Sequence, residues 1–332
     1  MPAPAPSFRK LALATVVLTF VLIVIGGIVR VSDSGLGCGP AGSGFHGWPF
    51  CNGDVVPGVD LNAIIEYVHR VVAAAVGLMM FALAWLAWRR YPEHRGIAWA
   101  SLAAAVLVVL QGVLGGVVVE ENLEEELVAA HLALAMLLLG LVIYIWRASR
   151  PEVIGAEPPQ TSAGFRRLAW AASILILGTI IAGGYMAGTQ KYGRADYQLG
   201  DGAHHACGKE FPTCNGDFLP FGQARLVDIH LTHRVFVYLA SAIVLWLAIA
   251  AIRRRLSEPV TKLAGVTVVA LVAQLLVGAL NVWLDEYELL IVTHLALGTL
   301  LWALCVAITL NLYRVPAPAP APVGSRPEAV SA

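Results

Sequence analysis

Eight uninterrupted apolar runs constrain this chain more than any other feature. They lie near positions 11–29, 64–88, 97–119, 127–146, 166–188, 229–252, 262–284 and 289–312. A run of about 20 residues rising ~1.5 Å per residue spans the ~30 Å hydrocarbon layer of a bilayer. Inside lipid, backbone donors and acceptors must be satisfied within a helix or a closed barrel. Barrel strands alternate lipid-facing and lumen-facing residues, and these continuous runs do not. An all-α integral membrane protein with eight transmembrane helices is therefore expected. Composition agrees: with 58% hydrophobic and 13% charged residues, a chain of 332 has too little polar surface to coat a soluble fold.

The polar residues in and between these runs occur twice in the same order. The first series is Cys38, Trp48-Pro49-Phe50-Cys51-Asn52-Gly53, Glu66-Tyr67-Val68-His69-Arg70, Gln111 and His131-Leu132-Ala133-Leu134. The second is Cys207, Phe211-Pro212-Thr213-Cys214-Asn215-Gly216, His230-Leu231-Thr232-His233-Arg234, Gln274 and His294-Leu295-Ala296-Leu297. His69 and His233 stand 164 positions apart, and His131 and His294 163 apart. So long a shared order inside apolar sequence marks two fused copies of one unit. The expected architecture is two fused four-helix-bundle repeats, 11–150 and 166–314, related by a pseudo-twofold axis along the membrane normal. A linker, 151–165, joins them, and the Pro- and Ala-rich ends, 1–10 and 315–332, are expected to be disordered.

Basic residues cluster at Arg9-Lys10, Arg89-Arg90-Arg95, Arg147-Arg150-Arg166-Arg167, Arg253-Arg254-Arg255-Lys262 and Arg314. These are alternate ends of the runs, so they and both termini are expected on the cytoplasmic side of a cell membrane. The long segments 30–63 and 189–228, the Glu120 to Glu126 stretch and Asp285-Glu286-Tyr287-Glu288 then face outward. Residues 11–29 are expected to be retained rather than cleaved as a signal peptide, because no small-x-small cleavage pattern follows and the counterpart run 166–188 is internal.

Four of the five cysteines lie in the two outward loops, one pair per repeat. An oxidising exterior favours disulfides Cys38–Cys51 and Cys207–Cys214; the rival is a thiol pair acting as a redox switch or metal ligand, although neither spacing is Cys-x-x-Cys. Cys305, in the last run, reads as a small apolar residue.

Four histidines, His69, His131, His233 and His294, each fall four or five residues inside an apolar run from its outward end, roughly 6–8 Å deep at helical rise. A lone intramembrane histidine is usually a hydrogen-bonded packing residue. Two equivalent pairs at one depth reverse that preference, since polar groups in lipid are costly and mark sites. Two imidazoles on facing helices of a bundle, with no thiolate or carboxylate cage, suit the axial positions of a haem iron. Glycines 26–27, 112, 115–116, 183–184 and 278 allow close approach of a macrocycle or, equally, of neighbouring helices. Arg70 and Arg234 each follow a histidine and could pair with haem propionates or acidic side chains, or snorkel to headgroups. The halves differ at one telling place: Glu66, one turn before His69, is replaced by His230. A carboxylate there can move protons or stabilise positive charge next to a macrocycle, or can simply pair with Arg70 or Arg30.

With Gly26-Gly27-Ile28-Val29-Arg30, Ser34-Gly35-Leu36-Gly37-Cys38, Trp48-Pro49-Phe50-Cys51-Asn52-Gly53, Glu66-x-x-His69-Arg70, His131, His233-Arg234 and His294, the chain resembles the haem A synthase family from about residue 11 to 312. The resemblance implies an oxidoreductase that converts the C8 methyl of haem O to the formyl of haem A for terminal oxidase assembly. It further implies that His69 and His131 flank the substrate haem, that Glu66 is the essential acid, and that His233 and His294 ligate a haem b cofactor. The expected partners are haem O, the farnesyltransferase that makes it, an electron acceptor, membrane lipid and a second copy of the chain, with no nucleic acid. The alternatives are a dihaem b electron carrier and a four-plus-four transporter. All four histidines lie toward one side, which speaks against a transmembrane carrier, and neither paired cysteines nor matched histidines have a role in the transporter.

Overall fold

A computed structural model of the protein describes residues 3–190, 202–284 and 287–317. Among these residues the chain forms eight α-helices and no extended strand. They are α1 (Pro6–Val31), α2 (Leu61–Arg90), α3 (Arg95–Glu120), α4 (Glu125–Ala148), α5 (Ala163–Gly188), α6 (Arg225–Arg254), α7 (Glu258–Trp283) and α8 (Glu288–Asn311). All eight are long and apolar enough to cross a bilayer. The protein is an all-α, multi-pass membrane protein, as the apolar runs predict. Asp285 and Glu286, part of the expected outward acidic turn, lie outside the described residues, as do 318–332 of the expected tail.

The helices overrun the apolar runs because polar end residues cap and extend them. Asp60 accepts from the Ala63 N–H at 2.9 Å and starts α2 at Leu61, and Ser162 accepts from the Phe165 N–H at 3.2 Å at the head of α5. His69 and His233 therefore lie eight residues inside their helices and His131 and His294 six, about 12 Å and about 9 Å from the helix starts.

Two expectations about the ends change. Residues 6–10 are helical, since Pro6 suits the first helical turn and Phe8, 1% exposed, packs edge-on to Tyr91. Val315 is also ordered: it bridges Ile154 of the linker, and the Gly155 N–H donates to its carbonyl at 2.9 Å.

Helix lengths run 26, 30, 26 and 24 residues from α1 to α4, and again from α5 to α8. In each half, consecutive helices pack and the fourth returns to the first, closing a ring of four. The rings meet along a seam where α4 packs on α5 and α8, and α1 on α8. Small residues let the seam close: Gly27 faces Leu295 on α8, Gly184 faces Leu132 on α4, and Gly140 faces Trp302. The core follows this seam through Met136, Leu139, Ile145, Leu301 and Ile308, while Val17, Leu78, Trp99, Ile174 and Val269 point outward to lipid.

Candidate functional site

All four even-numbered helices begin at the end of the bundle that carries the cysteine loops, and each brings one of the four matched histidines in from that end. The odd helix before each one supplies a glycine for the imidazole to lie against. A Cβ added at Gly26 would sit 3.2 Å from Cε1 of His69, at Gly115 3.1 Å from that of His131, at Gly183 3.0 Å from that of His233, and at Gly278 2.8 Å from that of His294. The same edge of the ring faces the same kind of backbone four times. Glycines 26, 115, 183 and 278 are thus imidazole contacts, Gly27 and Gly184 are seam contacts, Gly116 faces the indole of Trp48, and Gly112 opens onto free space.

His131 lies within the electrostatic reach of His69, and His294 within that of His233, so the structure groups the histidines into the expected pairs, one per ring. His233 Nδ1 lies 3.1 Å from the Thr179 carbonyl, a contact that fixes the proton on Nδ1 and leaves the Nε2 lone pair available. The other three rings carry a buried Nδ1 with no hydrogen-bond partner. Buried polar atoms are rarely left so, and paired imidazoles in apolar surroundings are the donor set that a haem iron takes. The residues therefore fit a haem in each ring. The glutamines differ between halves: Gln111 donates to the His131 carbonyl at 3.0 Å, whereas the Gln274 side-chain nitrogen lies 3.2 Å from Nε2 of His294 and must give way to any ligand of that atom.

Glu66, 3% exposed, accepts from the Cys38 N–H at 2.8 Å and from the Arg70 guanidinium. Arg70 also donates to the Gly47 and Phe50 carbonyls at 2.7 and 2.8 Å. Arg234 does the same in the second ring, donating to Thr213, Pro212 and Glu210 carbonyls at 2.8, 3.3 and 2.8 Å while stacking on Phe211. Arg70 thus pairs with an acidic side chain, one of the roles expected for it, and both arginines hold the cysteine loops down on the bundle. His230 shares the Glu66 position and the same kind of work with reversed polarity, its Nδ1 lying 2.8 Å from the Ala203 carbonyl.

The loops are built alike. Cys38 bonds to Cys51 and Cys207 to Cys214, as an oxidising exterior favours, and Cys305 is the free, buried cysteine. Asn52-Gly53 and Asn215-Gly216 turn with positive φ at both residues, the geometry for which Asn-Gly is suited, and Cys51 and Cys214 bridge Asp54 and Asp217 across the turn. His46 packs on the first of these turns, away from the histidine pairs.

One residue escaped the sequence reading. His204, in the short helical turn Ala203–Cys207 of the second loop, feels the charges of His230, His233 and Arg30. Burial first, and those neighbours second, push its pKa down to about 3, so it is neutral. Counting back from the paired cysteines, it stands where the first half has Gly35, and that difference between the halves is the one signal in the sequence that sets it apart.

The family model described as COX15-CtaA, cytochrome oxidase assembly protein, matches residues 59–306. The chain is 30% identical over 234 residues to a protein of Alkalihalophilus pseudofirmus named "Heme A synthase", covering 68% of this chain and 71% of that one. It is 29% identical over 286 residues to a protein of the same name from Symbiobacterium thermophilum, covering 82% and 85%. A third such protein, from Halalkalibacterium halodurans, is 28% identical over 218 residues, covering 65% and 66%.

Proposed function

Since this chain belongs to the COX15-CtaA family of cytochrome oxidase assembly proteins, we infer that it is a haem A synthase, an oxidoreductase that converts the C8 methyl of haem O to the formyl of haem A. The observation that carries this reading is the difference between two otherwise matched histidine pairs: an anion, Glu66, stands one turn before His69 in the first ring only. In this reading His69 and His131 hold the substrate haem, and His233 and His294 hold haem b. The equal helix lengths and the interchanged seam contacts of Gly27 with Leu295 and Gly184 with Leu132 support a duplicated unit with a pseudo-twofold axis along the membrane normal. The basic ends support a cytoplasmic placement of both termini, which puts the cysteine loops outside.

The residues divide the work as follows. Bound between His233 and His294, haem b supplies redox chemistry at iron. The Thr179 carbonyl orients His233, and glycines 183 and 278 set how closely the two imidazoles approach their neighbouring helices. Glu66 is fixed by the Cys38 amide and Arg70, so it acts through a held negative charge that stabilises positive charge developing on the substrate carbon. Arg70 and Arg234 act on the site through the loops they clamp, which cover each ring and exclude water.

A dihaem carrier uses the same four histidines, yet all of them lie toward one end of the bundle, where a route across the membrane needs sites at both. Extraction of pigment from the purified protein separates the readings. Haem b together with haem O or haem A is the expected result; haem b alone supports a carrier, and absence of haem a transporter.

A further inference from the structure

Arg30 belongs to the last turn of α1, in the first ring, one turn beyond the Gly26 that contacts His69. Its guanidinium crosses the seam. It donates to the Ala187 carbonyl in the last turn of α5, in the second ring, at 2.8 Å and to the Gln190 carbonyl just beyond that helix end. The same helix end holds the second loop: the Thr189 hydroxyl donates to Met186 at 2.6 Å and accepts from the Ala203 N–H at 2.9 Å. Ala203 is also the residue that His230 holds, and the next residue, His204, lies within the electrostatic reach of both Arg30 and His233. A fixed cation from one half is thus built into the ceiling of the histidine pair in the other.

We propose that Arg30 is a positioning residue of the second-ring site, tying the loop that carries His204 to α5 and raising the reduction potential of the haem held by His233 and His294. The proposal rests on the haem reading above. The sign follows from charge: reducing ferric to ferrous iron removes one positive charge, and a nearby cation in a medium of low dielectric favours the less positive form. Asp33, whose charge opposes that of Arg30 two residues after the helix ends, partly offsets the effect. The link also gives the two rings a physical connection, since the α1 turn that contacts His69 is continuous with the turn that holds the second loop.

Redox titration of the haem b band in the full-length protein, in detergent or nanodiscs, tests this. Arg30→Gln should lower the reduced-to-oxidised ratio at a fixed ambient potential by about threefold to tenfold, a tenfold change being about 59 mV for one electron. Arg30→Lys keeps the charge and loses the two-carbonyl fork, so it should hold a potential near that of the parent. Asp33→Asn removes the opposing charge from a half-buried turn, in a residue type that tolerates the positive φ of 53° there, and should raise the ratio. It remains informative if Arg30→Gln does not retain haem. An unchanged potential in Arg30→Gln with haem b bound, or in Asp33→Asn, overturns the proposal. So does equal haem loss in the Gln and Lys variants with the potential of the remaining haem unmoved, because that pattern means packing alone. Absence of haem b from the unsubstituted protein would instead bring down the haem reading on which the proposal stands.

Discussion

At the scale of single residues, four glycine–imidazole contacts and one carboxylate make up the candidate site. Gly278→Ala places a methyl 2.8 Å from Cε1 of His294, and that ring already meets Gln274 on another side, so the imidazole has to turn. Helix propensity alone favours the alanine by about 1 kcal/mol, so the helix should persist while the reduced haem b band is lost or shifted. Gly112→Ala, facing open space on the corresponding odd helix of the other ring, should leave the spectrum unchanged. Glu66→Gln keeps shape and the acceptor for the Cys38 amide while removing the charge. The expected outcome is a folded protein with normal haem b, accumulated haem O and at most about one-hundredth of the haem A, the scale of losing one placed charge from a preorganised site. Chromatography of extracted haems reads this, and a normal yield of haem A would remove Glu66 from the chemistry. The histidines and Glu66 were legible in the sequence because polar groups inside apolar runs stand out. His204 was not, because it sits in a polar loop where a histidine is unremarkable, and the task of Arg70 and Arg234 depends on where loop carbonyls come to lie in space.

At the scale of elements, the eight helices follow from the apolar runs, and only their ends needed the structure. Caps such as Asp60 and Ser162 begin helices outside the apolar stretch, and Phe8 finds a partner, Tyr91, that lies 83 positions along the chain. The two cysteine loops close 13-residue and 7-residue spans over the rings, pinned by Arg70 and Arg234 from below. Alkylation of denatured, unreduced protein should therefore label Cys305 and no other cysteine, read as one added mass. Two further labels without reductant would show that one of these loops is held open as a thiol pair. Labelling that shows Cys38 joined to the second loop would contradict the separate closure of each ring.

At the scale of the whole molecule, the two rings share helix lengths, loop construction and histidine placement, and they part at position 66 against 230 and at Gly35 against His204. The first ring keeps an anion beside its histidines, and the second surrounds its pair with further imidazoles and the cation of Arg30. On the proposed reading, these different charges would suit the first ring to oxidising a bound substrate and the second to taking electrons. The matched order of the two halves was legible from the sequence alone; the seam, where Arg225 pairs with Glu125 at 2.6 Å and Tyr185 with Glu126 at 3.1 Å, was not, because those partners belong to different halves of the chain. The most direct measurement is co-expression with a haem O source in a host that makes no haem A, followed by chromatography of the extracted haems. Haem A should appear with the full chain and disappear with Glu66→Gln. Haem O left entirely unconverted by a purified protein that carries haem b would contradict the assignment.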